Sequence, residues 1–311
     1  MNTQTDGTSN SRPASPVSDP VRLQKIRDLL AGSPKAPQTP VAELRLLLEK
    51  MGDRFKPPEG VEVRAENIGG VACERAVADP EGPVALYFHG GGYNLGSPKS
   101  HRHMVGLLAQ QIGGSAICPD YRLAPEHRYP AALEDCIAVY VAEAQARGAA
   151  RLAVSGDSAG GGLAFAVVMA ARDAGVALPG CVWAISPWVN MLHEAGSFAT
   201  LAAQDPVVSL ADLDYFAGQY VDAHQRGLPA VSPLRGEARG LPPTLIHAGA
   251  HEVLLDDIRA MHGRLRQAGV DAQLGVWDEM FHCWHLYWPM LEEGRRAVAE
   301  GAAFIRAHCA A

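Results

Sequence analysis

The chain of 311 residues is 48% hydrophobic and 20% charged, enough apolar content for one large core or a core with a small cap. Its net charge of −7, without a long basic run, argues against nucleic acid as a partner. No apolar run approaches the length of a membrane span and the N-terminus lacks the basic-then-apolar pattern of a signal peptide, so a cytoplasmic location is expected.

Residues 1–20 are Ser, Thr, Asn, Pro and Asp with almost nothing apolar, and are expected to be disordered. Two amphipathic helices follow at 21–31 and 41–51, split by a Pro-rich segment at 33–40. Such short helices cannot bury their apolar faces alone and must pack on something later in the chain. The texture then changes to strands. Residues 61–68 and 71–78 read as an antiparallel pair around Gly69-Gly70. Further strands are expected at 84–88, 115–118, 152–155, 180–185, 244–248 and 272–276. Helices are expected between them at 101–112, 130–147, 158–173 and 254–268, with a last one near 288–307. Strands that are apolar throughout and alternate with helices predict an α/β fold, a mostly parallel eight-stranded sheet covered on both faces. The alternation breaks between Trp188 and Pro233, where 198–226 looks helical. The expected organisation is a disordered 1–20, N-terminal cap helices at 21–55, a catalytic domain of 56–190 and 230–311, and a cap insertion at 191–229.

Two glycine motifs fall at the carboxyl ends of strands, where sites form in such sheets. Gly156-Asp157-Ser158-Ala159-Gly160 lies between an apolar strand and a small, apolar helical stretch. A serine flanked by glycines at a tight strand-to-helix turn is held in a strained conformation that exposes its hydroxyl, as a nucleophile needs. Composition alone would produce Gly-x-Ser-x-Gly in roughly one chain in seven, so the pentapeptide does not decide the matter by itself. Upstream, 84–88 runs into His89-Gly90-Gly91-Gly92. Successive glycines let backbone N–H groups approach a developing negative charge, and the pair of motifs in this order reads as nucleophile and oxyanion hole. His89 is expected to brace the loop by hydrogen bonds.

These motifs, with Tyr93-Asn94-Leu95-Gly96-Ser97, Asp120-Tyr121-Arg122-Leu123-Ala124-Pro125-Glu126 and Ser186-Pro187-Trp188, resemble the bacterial hormone-sensitive-lipase-like (family IV) esterases over about residues 60–308. The ending Trp277-Asp278-Glu279-Met280-Phe281-His282-Cys283-Trp284-His285 is similar to monoterpene lactone hydrolases and related carboxylesterases. The resemblance implies an α/β-hydrolase fold with a helical cap, formed by the N-terminal helices and the insertion, that shapes the acyl and alcohol pockets.

Ser158 needs a base, because a free hydroxyl is a poor nucleophile at neutral pH. Of twelve histidines, His282 follows a strand and comes last in the order serine, acid, histidine expected of this fold. By the family's spacing, Glu252 takes the slot of the acid and Asp256 an accompanying structural one. Asp256 opens a helix, and remains the alternative either as a cap or as the acid itself. The expected oxyanion donors are the N–H groups of Gly90, Gly91 and Ala159. Tyr93 and Trp188 are candidates for the substrate pocket. Arg122, Glu126 and Asp135 read as structural, and Asp157 as securing the serine turn. His282-x-x-His285 and His101-x-His103 lack a placed third ligand, so no metal site is expected. Six cysteines without a Cys-x-x-Cys pair favour buried free thiols in a reducing compartment.

The expected activity is hydrolysis of a small-molecule carboxylic ester of short to medium chain through an acyl-enzyme, with no cofactor. Hydrolysis of a lactone or an N-acetyl amide by the same triad is the enzymatic alternative. A ligand-binding receptor on the same scaffold is the non-enzymatic one, disfavoured because His282 is retained. The oligomeric state is left open, a homodimer being one option.

Overall fold

A computed structural model of the chain describes residues 17–309. Helices α1 (Pro20–Ala31) and α2 (Val41–Arg54) come first, followed by the antiparallel strands β1 (Glu62–Ile68) and β2 (Val71–Val77). The chain then runs through β3 (Val84–Phe88), α3 (Pro98–Ile112), β4 (Ser115–Pro119), α4 (Ala131–Arg147), β5 (Leu152–Asp157), α5 (Ala159–Asp173) and β6 (Cys181–Ile185). The insertion holds α6 (Ser197–Thr200) and α7 (Leu210–Tyr220). After it come β7 (Thr244–His251), α8 (Leu255–Gln267), β8 (Ala272–Phe281) and α9 (Glu292–His308). The sheet has the order β1-β2-β4-β3-β5-β6-β7-β8, parallel from β4 to β8, with β2 antiparallel to its neighbours.

Two-sided burial of the central strands follows from their apolar composition. Val84, Leu86 and Phe88 face a core shared with α4, α5 and α8, whereas Ala85 and Tyr87 face one shared with α3 and α9. This period-two division is what pleating imposes on a strand covered on both faces. A third cluster joins Leu23 and Ile26 of α1 to Met280 and Phe281 at the end of β8 and to Trp284 just past it. Helix α1 therefore buries its apolar stripe on the C-terminal part of the chain.

Several boundaries differ from the sequence expectation for identifiable reasons. The expected disordered segment lies outside the described residues up to 16, but Asp19 caps α1 through the Arg22 N–H at 2.9 Å. Ser18 donates to Glu293 at 2.7 Å, so the segment is anchored before residue 21. Helix α3 starts earlier than expected, at Pro98, because Ser97 and Ser100 form a reciprocal capping box. Strand β8 continues to Phe281 across an irregularity opposite Gly249 and His251. The insertion is less helical than expected: residues 201–209 form turns around Asp205-Pro206, and Asp205 accepts the N–H groups of Val207 and Val208. No helix among the described residues is long and apolar enough to cross a membrane.

Candidate active site

Ser158 stands between β5 and α5 with φ 53° and ψ −120°. A non-glycine residue held at positive φ costs about 1–3 kcal/mol, which the surroundings must over-determine. Here the Ser158 N–H donates to Ile185 O at 2.9 Å, and its carbonyl accepts from Gly162 at 3.1 Å and Trp188 at 2.9 Å. The flanking glycines are dictated by proximity. A Cβ on Gly156 would collide with the Gly160 carbonyl, and one on Gly160 with the Phe88 carbonyl of the adjacent strand.

His282 follows β8 directly. It is 3% exposed, and its Nδ1 lies 3.7 Å from Glu252 Oε2, at the end of β7. Glu252 is fully buried, and its Oε2 accepts from the Ser186 hydroxyl at 2.6 Å. The same hydroxyl accepts the Cys283 N–H at 3.2 Å, so Ser186 ties the carboxylate to the histidine loop. Burial alone would lower the His282 pKa. The Glu252 carboxylate, helped by the charge of Asp205, more than offsets this, and the imidazole titrates above its ordinary 6.5. The alternative acid, Asp256, is half-buried, pairs with Arg259 at 3.5 Å and lines a different cleft.

Asp205 was not anticipated as part of this region. It reaches from the insertion to accept the Val253 N–H at 3.0 Å, next to Glu252. No local pattern in the sequence marks it, because its partner is 48 residues away.

The glycine loop expected to supply oxyanion donors differs from expectation at the first of them. The Gly90 N–H is given to Asp157 Oδ1 at 3.0 Å, and a Cβ on Gly90 would collide with that carboxylate. Gly90 is therefore not free to donate to a substrate. The N–H groups of Gly91 and Gly92 have no protein acceptor among the described residues, and both glycines line the cleft above Ser158. They have φ of 117° and 63°, a region that side chains rarely adopt. Ala159, at the start of α5, carries one of the orphan donors of a helix N-terminus.

Asp157 also accepts from Tyr87 at 2.9 Å and lies 3.5 Å from His101 Nε2. Burial would raise its pKa, but His101 and the Tyr87 hydroxyl outweigh this and hold it below the usual value. His89 braces the loop as expected. Burial and neighbouring His101 push its pKa to about 3, so the neutral ring donates from Nδ1 to Gly90 O at 2.9 Å. Arg122 pairs with Asp135 and Glu134, whereas Glu126 pairs with Arg45 of α2.

Tyr93 and Trp188, expected in the pocket, lie beneath it and do not line it. They are 2% and 0% exposed; Tyr93 stacks on Tyr220 of α7, and Trp188 donates to Asn190 O at 3.1 Å. Aromatic content at a motif cannot tell a wall from a support; the packing of α7 decides it. The actual cleft has a volume of about 640 Å³ and is mostly apolar. Its walls come from α1 and α2 (Leu30, Leu47, Leu48) and from α7 (Leu213, Phe216), with Ser158 and His282 at its floor. His103 Nε2 is bonded to Leu286 O at 2.8 Å, and His285 Nε2 lies 3.0 Å from His247 Nδ1. Among the described residues no group of three or more His, Cys, Asp or Glu is placed to hold a metal.

A second cleft, of about 580 Å³, opens beside Asn190, Arg235, Asp256 and Asp257. Asp257 is 5% exposed; Asn190 donates to one of its oxygens at 3.1 Å, while the other has no partner. Burial pushes its pKa up to about 6. Because the folded carboxyl holds its proton to higher pH than the unfolded one, stability falls as pH rises from about 4 to 6 and stays lower above that. Asp257→Asn should therefore stabilise the protein by about 1–2 kcal/mol at pH 8 and by little at pH 4. Urea unfolding at the two pH values checks this; an equal effect at both would refute the assignment.

A sheet in this order, with a serine at the turn after β5 and a histidine after β8, is the architecture of serine hydrolases of the α/β-hydrolase fold. Residues 85–286 match the alpha/beta hydrolase fold family. The chain is 43% identical over 230 residues to an acetyl-hydrolase of Streptomyces hygroscopicus, covering 74% of this chain and 77% of that one. It is 30% identical over 264 residues to an esterase of Acinetobacter venetianus, covering 84% and 87%. Among solved structures, EstE5 superposes with a TM-score of 0.90 at 38% identity, covering 94% of this chain and 100% of EstE5. An esterase from the bacterial hormone-sensitive lipase family does so with a TM-score of 0.89 at 36% identity, covering 93% and 98%. The chain belongs to the hormone-sensitive-lipase-type carboxylesterases of the α/β-hydrolase family.

Proposed function

We propose that the protein hydrolyses short- to medium-chain carboxylic esters through an acyl-enzyme on Ser158. The observation that carries this reading is the convergence of Ser158 and His282 at the floor of a bounded apolar cleft, with the buried Glu252 behind the histidine. His282 takes the hydroxyl proton as Ser158 Oγ attacks the ester carbonyl, and Glu252 stabilises the imidazolium that forms. The oxyanion sits against the N–H groups of Gly91, Gly92 and Ala159. His282 then protonates the leaving alcohol and, in the second half, draws a proton from the water that releases the acid. No step calls on a cofactor. The six cysteines are all buried free thiols, which supports a reducing, cytoplasmic setting. Residues of α1, α2 and the insertion act as the cap.

Cleft length sets the substrate. Each methylene buried contributes about 0.8 kcal/mol, or roughly fourfold in kcat/KM, until the acyl chain meets the wall. Across p-nitrophenyl esters kcat/KM should rise from acetate to a short or medium chain and then fall. Leu48→Trp, which fills the wall contributed by α2, should move the maximum towards shorter chains. A profile still climbing at dodecanoate would contradict a bounded cleft. A second reading, specificity for acetyl groups, draws support from the acetyl-hydrolase relative. It requires the maximum at acetate and a steep loss at butyrate.

A further inference from the structure

We propose that Asn94 and Arg45 position the oxyanion hole, by locking its glycine loop to both parts of the cap. The inference rests on the reading of Gly91 and Gly92 as oxyanion donors.

In a trans peptide the C=O of one residue and the N–H of the next point in opposite directions, so holding the carbonyl aims the N–H. The Gly90 carbonyl is held by His89, which aims the Gly91 N–H. The Gly91 carbonyl accepts from the N–H groups of Asn94 at 3.1 Å and Leu95 at 2.8 Å, which aims the Gly92 N–H. Asn94 is thus the hinge of the second donor, and it is itself fixed on two sides. Its side-chain NH₂ donates to Gly92 O at 2.6 Å and to Phe216 O of α7 at 3.2 Å. Its backbone carbonyl accepts from Arg45 Nε of α2 at 2.7 Å. Arg45 is held in turn by Ala124 O at 2.8 Å and by both carboxylate oxygens of Glu126, at 2.9 and 2.7 Å.

The chemistry of Asn94 argues for positioning over bulk stability. The side chain is fully buried and its Oδ1 has no partner, a cost that an apolar residue of the same size would avoid. What asparagine supplies is an NH₂ group that reaches two carbonyls at once, one in the oxyanion loop and one in the cap. Arg45 likewise offers a planar fork that a lysine cannot reproduce.

The test compares Asn94→Ala, Arg45→Ala and Arg45→Lys in the full chain, with Ser158→Ala alongside. Asn94→Ala should lower kcat roughly 10- to 100-fold for every acyl length alike, with KM within about twofold, because only the transition state uses the displaced donor. Affinity for an alkyl boronic acid, which forms a tetrahedral adduct on serine, should fall in parallel. Arg45→Ala should act in the same direction by roughly 3- to 10-fold, Arg45→Lys should restore part of the loss, and the double alanine variant should be worse than either single one, because Arg45 holds the backbone carbonyl that Asn94→Ala keeps. Unchanged kcat, or a loss confined to KM that varies with acyl length, would overturn the proposal and leave these residues as cap supports only. Should Asn94→Ala fail to fold, Arg45→Ala decides the matter, since Arg45 is 28% exposed and the Glu126 it pairs with 56% exposed, so no fully buried side chain is removed. The two readings separate cleanly: an active Ser158→Ala sinks the nucleophile, whereas an inactive Ser158→Ala with normal Asn94→Ala and Arg45→Ala sinks only the clamp.

Discussion

Ser158→Ala should leave the protein folded and lower kcat by roughly four to six orders of magnitude. The fold tolerates the change because Ser158 contributes its backbone to the turn: the bonds to Ile185, Gly162 and Trp188 are all made by its N–H and C=O. Alanine at positive φ carries much the same strain as serine, so the melting temperature should move little. The chemistry, by contrast, loses the only atom that forms the acyl bond. Hydrolysis of p-nitrophenyl butyrate by purified protein, with circular dichroism as the control for folding, measures the effect. More than a few per cent of residual activity would remove Ser158 from its role.

Glu252→Gln should lower kcat by roughly two to four orders of magnitude. The glutamine keeps the size and can still meet the Ser186 hydroxyl, but it cannot stabilise the imidazolium. The pH profile supplies a second, independent readout. Only neutral His282 can accept the serine proton, so kcat/KM in the unaltered enzyme should rise with pH about a midpoint above 6.5. With the Glu252 charge removed, burial dominates and the midpoint should move to lower pH. Asp256→Asn should leave both kcat and the midpoint near those of the unaltered enzyme, as its carboxylate faces Arg259 and the second cleft. A reversal of the two phenotypes would transfer the role to Asp256.

Much of this arrangement was legible because the residues concerned answer to local rules. The glycines at 156 and 160 report a backbone approach that no side chain survives, and the apolar run at 84–88 reports burial on both faces. His282 could be read from its place after the last strand. The parts that were not legible depend on which element packs on which. Three successive glycines offer three N–H groups, and only the Asp157 carboxylate removes the first from service. Tyr93 became a support through its stacking on Tyr220 of α7, a segment expected to be helical but whose packing partners the sequence does not show. Asp205 acts through a partner 48 residues away and has no local signature, whereas Ser186 stands in the Ser186-Pro187-Trp188 motif but takes its part from Glu252, 66 residues away.

The anchoring of α1 on the far end of the chain bears on how the protein is made. Ser18 bonds to Glu293, 275 residues later, and Leu23 and Ile26 pack on Met280, Phe281 and Trp284. At a synthesis rate of about 5–20 residues per second, α1 is made roughly 14 to 55 seconds before its partners exist. During that interval the apolar stripe of α1, Leu23 and Ile26, is without the residues that bury it in the folded protein. Because His282 and the partners of α1 lie in the same stretch, a chain that stops short of residue 280 lacks both the candidate base and the surface on which α1 rests.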